Sequence, residues 1–231
     1  MAIFTAGPIA ATISGSIGGT TFSRNRGGTY IRNRAIPLNP NTSFQINVRS
    51  ILATQSQAWA DQTDATRNAW ANWAVQNPVI NALGKSIILS GSQAFIQLRS
   101  RLQLASEPLI ILPPIVNAPN GLTSLVLDAD IGVNNVEVAF TVSPLEADDA
   151  LWTLAAVVNS AGISYVRNLL RQVQITGGGV VSPQVIQVSV ENRFGTLVVG
   201  QTLHVRVATF GRLTGLLSVP LEDSTVVTND V

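Results

Sequence analysis

The chain has no cysteine, one histidine, one lysine, and no acidic residue before Asp61. Without cysteine there are no disulfides, thiolate nucleophiles or cysteine-bound metals. A single histidine, His204, leaves a Ser–His triad or a multi-histidine metal centre resting on one residue. Long apolar runs are also missing. Leu109 to Val116 is the longest and is broken by Pro113-Pro114, far short of the ~20 residues a membrane span needs. The N-terminus has neither the basic start nor the unbroken apolar stretch of a signal peptide, so a soluble, non-secreted chain that meets no membrane is expected. Charge is scarce too: 12% of residues are charged, about half the roughly 25% usual in soluble domains. A free monomer needs a more charged surface than that. Much of the surface is therefore expected to be covered by other subunits, and a homo-oligomer follows.

The net charge of +1 conceals a polarity along the chain. Residues 1–110 carry nine Lys/Arg against three acids, while residues 111–231 carry five against ten. Opposite halves of neighbouring copies could dock head to tail. All basic residues except Lys85 are arginine, the side chain suited to interfaces and bidentate anion contacts.

What the chain does have falls into four segments: an extended Gly/Arg-rich arm with a β-hairpin (1–40), a helical block (41–106), a Pro-rich linker (107–121) and a β-domain (122–231). In the arm, two β-prone runs flank Asn25-Arg-Gly-Gly28, a turn signal. Alternation places Phe22, Arg24 and Arg26 on one line and Tyr30, Arg32 and Arg34 on another, giving the hairpin an aromatic and arginine side. Glycines 7, 15, 18 and 19 leave the leader too permissive to hold one shape unaided. Thr42-Ser-Phe-Gln45 and Ser90-Gly-Ser-Gln93 fit capping boxes. Phe44, Val48, Ile51, Leu52 and Trp59 follow the first at helical spacing, Trp70, Trp73 and Ala74 form a stripe on a second helix starting at Thr63, and Ala94, Phe95, Leu98 and Leu102 do so on a third. Beyond Pro108, Pro113, Pro114 and Pro119 the period changes to two. Strands are predicted over 136–142, 152–158, 184–190 and 202–208, with weaker runs near 122–127, 163–175 and 214–219. About seven short strands in ~110 residues have the spacing of an immunoglobulin-like or fibronectin-type sandwich. The predicted fold class is α+β: arm and hairpin, helical block, then an all-β immunoglobulin-like sandwich.

Each candidate for chemistry fails a requirement, so no catalytic residue, cofactor or metal is expected and the chain is read as non-enzymatic. Gly84-Lys85-Ser86 lacks the first glycine of a phosphate loop, because Val79 stands in its place. Asp128-Ala-Asp130 has its glycine, Gly132, one place early for a calcium loop and Ala139 at the twelfth position; a solvated turn is expected instead. Asp148-Asp149 and Glu222-Asp223 are read as exposed turns, and His204 as an outward strand residue. The arm arginines with Phe22 and Tyr30 could grip phosphates and stack bases, but four charges in a nearly neutral chain are few for that. Subunit contact through Phe22, Arg24, Arg26, Tyr30, Arg32 and Arg34 explains the same residues together with the acidic second half.

The string Ile13-Ser-Gly-Ser-Ile-Gly-Gly-Thr-Thr-Phe-Ser-Arg-Asn-Arg-Gly-Gly-Thr-Tyr-Ile-Arg-Asn-Arg34, followed by Asn39-Pro-Asn-Thr42, Gln45, Val48-Arg49, Leu52, Trp59, Thr63, Arg67 and Trp70, resembles a family of tailed-bacteriophage and prophage virion proteins. The resemblance covers about residues 6–105. It implies a place in the virion, with other virion structural proteins, capsid or tail subunits, as partners. A capsid decoration or head-associated protein is the role expected, with a tail, neck or baseplate component or a nucleic-acid-binding packaging protein as alternatives.

Overall fold

Threonine, isoleucine and aromatic residues recur through the first strands, side chains that favour extended backbone, while the serine, asparagine and arginine between them offer little to fill a core. In the computed structural model, which describes residues 2–3, 13–25, 28–36, 38–81, 84–132, 135–142, 145–160, 162–163 and 165–229, the chain divides into two compact units, Met1–Ile46 and Asn47–Val231. The fold is α+β.

The first unit is built on β1 (Ala2–Ile3), β2 (Gly15–Ile17), β3 (Thr20–Asn25) and β4 (Gly28–Asn33), which form one antiparallel sheet in the order β1-β4-β3-β2. The boundary between the units falls in the first turn of α1 (Ser43–Ala60). Thr42 Oγ1 accepts the Gln45 N–H at 3.4 Å, one half of the expected capping box.

The second unit starts with three helices. α2 (Asp64–Gln76) is capped by Thr63, whose hydroxyl accepts the Thr66 N–H. A small hairpin of β5 (Val79–Ile80) and β6 (Ser86–Ile87) leads to α3 (Gly91–Leu104). There Ser90 and Gln93 exchange both bonds of a capping box, closing two backbone donors that the helix start would leave open. Trp70, Ala74, Ala94, Phe95 and Leu98 make the buried core between α2 and α3, the residues that the 3.6-residue period singles out. Trp70 packs edge-on against Phe95 at 5.4 Å and Trp73 at 5.8 Å, the arrangement the ring quadrupole favours. On α1 the expected stripe is only partly covered: Ile51 is buried and Trp59 packs on Phe95, whereas Phe44, Val48 and Leu52 stay about half exposed. The side chain that completes the buried seam is Gln55. Its Nε2 donates to Gln103 Oε1, and its Oε1 accepts from Arg99 Nε. Arg99 in turn donates to the Ile110 carbonyl and lies 4.7 Å from the centre of the Phe95 ring.

α2 and α3 come close because Gly91 has no side chain: a Cβ there would lie 2.8 Å from the Ala71 nitrogen. Gly91→Ala must push the two backbones apart. A loss of about 1–3 kcal/mol is expected, read as a lower urea midpoint at unchanged slope.

The strands follow as β7 (Ser124–Asp130), β8 (Asn135–Thr141), β9 (Asp149–Val158), β10 (Arg171–Ile175) and β11 (Gln184–Val185). After α4 (Gln187–Phe194) come β12 (Thr202–Gly211) and β13 (Leu221–Val226). Two antiparallel sheets, β11-β8-β7 and β10-β9-β12-β13, share one core, with Leu127, Val136 and Val138 facing Leu151, Ala155, Leu203, Val205 and Val207. The opposite face of β9 and β12 is covered in part by the helices: Ala150, Trp152 and Phe210 pack with Leu102 of α3 and with Ile110. This double coverage explains why β9 is buried almost continuously.

Three strand expectations change. Residues 187–194 are helix, because Ile186 and Val190, four apart and both buried, seal the core from one helical face while Val188 points out; packing overrides the β-propensity of the valines. Among the described residues, strand pairing within 163–175 is confined to β10, and within 214–219 to one isolated bridge, Phe210 to Leu217. The last strand is β13, with Glu222 and Asp223 inside it and Asp223 accepting the Leu127 N–H.

Candidate subunit interface

The β3–β4 hairpin carries the arginines singled out in the sequence. Phe22 stands opposite Ile31, Ser23 opposite Tyr30, Arg24 opposite Thr29 and Thr21 opposite Arg32. Facing residues in an antiparallel pair share a side of the sheet. Phe22 and Arg24 therefore lie on one face with Ile31, and Tyr30 and Arg32 on the other with Thr21 and Ser23. The single aromatic and arginine side expected from the sequence is in fact two opposite faces, each with one ring and one guanidinium. Arg34 follows the end of β4, and its N–H donates to the Gly19 carbonyl at 2.8 Å. Arg26 lies outside the described residues. Gly18, at φ 56°, forms the turn that lets Ile17 pair with Thr20, a left-handed backbone that glycine adopts without a steric penalty.

Two properties set this sheet apart. From residue 13 to 46, Asn25 aside, none of the described side chains is buried, and Phe22, Tyr30 and Ile31 reach only intermediate cover while Arg24, Arg32 and Arg34 are exposed. The unit also has four arginines and no Asp or Glu. Among the described residues the ion pairs are Arg67–Asp64, Arg206–Glu222 and Arg212–Glu107, and none involves the arm. Any carboxylate that meets these guanidinium groups comes from outside the unit. Chemically, each face offers a ring for apolar or stacking contact and a planar cation for bidentate bonding, while the short outer strands β1 and β2 leave edge N–H and C=O groups for strand addition.

The other sequence candidates are dispersed. Lys85 sits in the β5–β6 hairpin, where its backbone pairs with Asn81, so Gly84-Lys85-Ser86 does not lead directly into a helix as a phosphate loop does. The turn after β7 is less solvated than expected: Asp130 is buried and accepts the Gly132 N–H at 2.8 Å, while Asp128 is exposed. His204 faces away from the two-sheet core, half-buried beside Val166 and Leu170. Burial and the neighbouring Glu146 and Asp148 push the Asp149 carboxyl up. Among the described residues no group of three or more His, Cys, Asp or Glu could hold a metal ion, and no helix is long and apolar enough to cross a membrane.

No protein-family model, characterised protein or solved structure matches this chain.

Proposed function

We propose that the chain is a non-enzymatic structural protein of a tailed-bacteriophage virion, a capsid decoration or head-associated subunit held to its neighbours by the N-terminal sheet. The observation that carries this reading is the first unit itself, with four arginines, no Asp or Glu and side chains of β2 and β4 that all stay exposed or half-buried. A small sheet without a core is marginal in water. Burial against other subunits supplies the missing apolar contact, and acidic neighbours supply the missing charge. The acidic second half, with ten acids against five basic residues, suits the partner role in a neighbouring copy.

The β-domain reads as an immunoglobulin-like sandwich. Naming its seven strands A to G in chain order, A, B and E form one sheet and D, C, F and G the other. This differs from the constant-type arrangement only in the fourth strand, which joins C instead of E. Such a module keeps its core while its loops vary, which suits an outward-facing virion domain.

Quantitative mass spectrometry of purified particles tests the assignment. Hundreds of copies on the head support decoration, a few dozen or fewer move the protein to the neck, tail or baseplate, and absence from particles overturns the virion reading. A ring beside a guanidinium on each face also fits single-stranded nucleic acid; binding to DNA that weakens steeply with salt would favour that reading.

A further inference from the structure

Within the second unit, α2, α3 and the residues around 117 and 216 line a half-open cleft of about 280 Å³. Trp73, Leu98 and Leu216 form its apolar wall, and Asn77, Gln97, Asn117 and Arg101 supply its polar groups. Arg101 is there because of helical spacing: three residues after the buried Leu98, it shares the core-facing side of α3. Among the described residues its one side-chain hydrogen bond is long, from Nη1 to the Gly215 carbonyl at 3.3 Å. Gly215 can come this close to α3 only as glycine, since a Cβ would lie 2.7 Å from the Leu98 carbonyl oxygen and its φ is +76°.

Arg101 is partly buried, and an arginine, with five N–H donors and a permanent charge, is costly to withdraw from water unless it is paired. No carboxylate among the described residues lies within salt-bridge distance of Arg101. Burial pushes its guanidinium down to about 10. The last carbonyls of α3 offset part of this cost, Arg101 being in the final turn, but they do not replace an anion. The Gln97 and Asn117 amides make no hydrogen bond among the described residues and add free donors at the same cleft.

We propose that this cleft is a binding site for a carboxylate carried on a short apolar stem, the anion gripped by Arg101 and the amides and the stem lying between Trp73, Leu98 and Leu216. One guanidinium with neutral amides suits a monoanion, whereas a phosphate dianion calls for more cationic donors. The volume lies just below the range of ordinary small-ligand sites, about 300–1,000 Å³, so the stem is short. The carboxylate could belong to a free organic acid or to a side chain of another copy. The proposal does not depend on the virion reading.

Hexanoate is the probe and 1-hexanol its uncharged control, titrated calorimetrically into the full chain. Hexanoate is expected to bind saturably and hexanol at least about tenfold more weakly, the value of a charge-assisted bond. Arg101→Gln should remove that difference. Gln97→Glu gives a second, independent reading: it sets a carboxylate one turn before Arg101 on α3, the favourable order for an i,i+4 pair. This internal anion is expected to raise the unfolding temperature and abolish hexanoate binding. Equal binding of hexanoate and hexanol, or wild-type hexanoate binding by Gln97→Glu, overturns the site. If the natural carboxylate is a free acid, native mass spectrometry finds it retained in the wild type and lost in Arg101→Gln; if it comes from another copy, hexanoate dissociates oligomers in light scattering.

Discussion

Changing Arg24, Arg32 and Arg34 together to glutamate is expected to cut incorporation into particles at least about a hundredfold, while the purified protein unfolds at its usual temperature. An interfacial charge pair that loses one partner costs roughly 2–5 kcal/mol, and reversal adds repulsion, so three sites exceed the ~2.7 kcal/mol that corresponds to a hundredfold. Stability is spared because the second unit has its own cores, whereas the three arginines are exposed and form no ion pair among the described residues. Deleting residues 1–36 should reproduce the defect. The two-faced sheet refines the test: Arg24→Glu and Arg32→Glu alter opposite faces, so a comparable loss from each means that both are covered in the particle, and a loss from one alone identifies the docking face. Incorporation of the triple variant at wild-type levels removes the arm from the assembly mechanism.

The helical block was legible in the sequence because its signals are local. A capping box is four residues long, and Trp70 with Ala74 or Phe95 with Leu98 and Leu102 declare a buried face within two turns. The β-domain was legible in its alternation but less so at its ends, since Ile186 and Val190 satisfy a period of two and a spacing of four at once, and the choice is made by the core they seal. Register lay beyond reach for the same reason. Phe22 and Tyr30 read as one side of a hairpin until pairing with Ile31 and Ser23 divides them, a choice fixed by the register that sets Asn25 opposite Gly28. Gln55 and Arg101 were missed because polarity hid them. Each stands on the core-facing side of its helix, and a polar residue on that stripe, four residues after Ile51 or three after Leu98, is the signal that could have marked them.

The same block makes the clearest stability prediction. Trp70 is fully buried, stacks edge-on with two aromatic rings, and donates its indole N–H to the Ile111 carbonyl at 2.9 Å. Trp70→Ala removes the largest side chain of this core and is expected to cost about 3–5 kcal/mol, a large share of the roughly 5–15 kcal/mol that holds a domain folded. At about 2–4 °C per kcal/mol for a unit of this size, the unfolding temperature should fall by roughly 10 °C. Trp70→Phe separates the two contributions. It keeps a ring against Phe95 but orphans the Ile111 carbonyl, and a loss of about 1–3 kcal/mol is expected for that unpaired acceptor and the unfilled volume. Ile110 is held independently by Arg99, so the proline-rich segment should stay docked in Trp70→Phe, with faster amide exchange confined to the residues just after Ile111. Global unfolding of Trp70→Phe at the temperature of Trp70→Ala would instead make the indole bond, and not ring burial, the main tie between this segment and the helices.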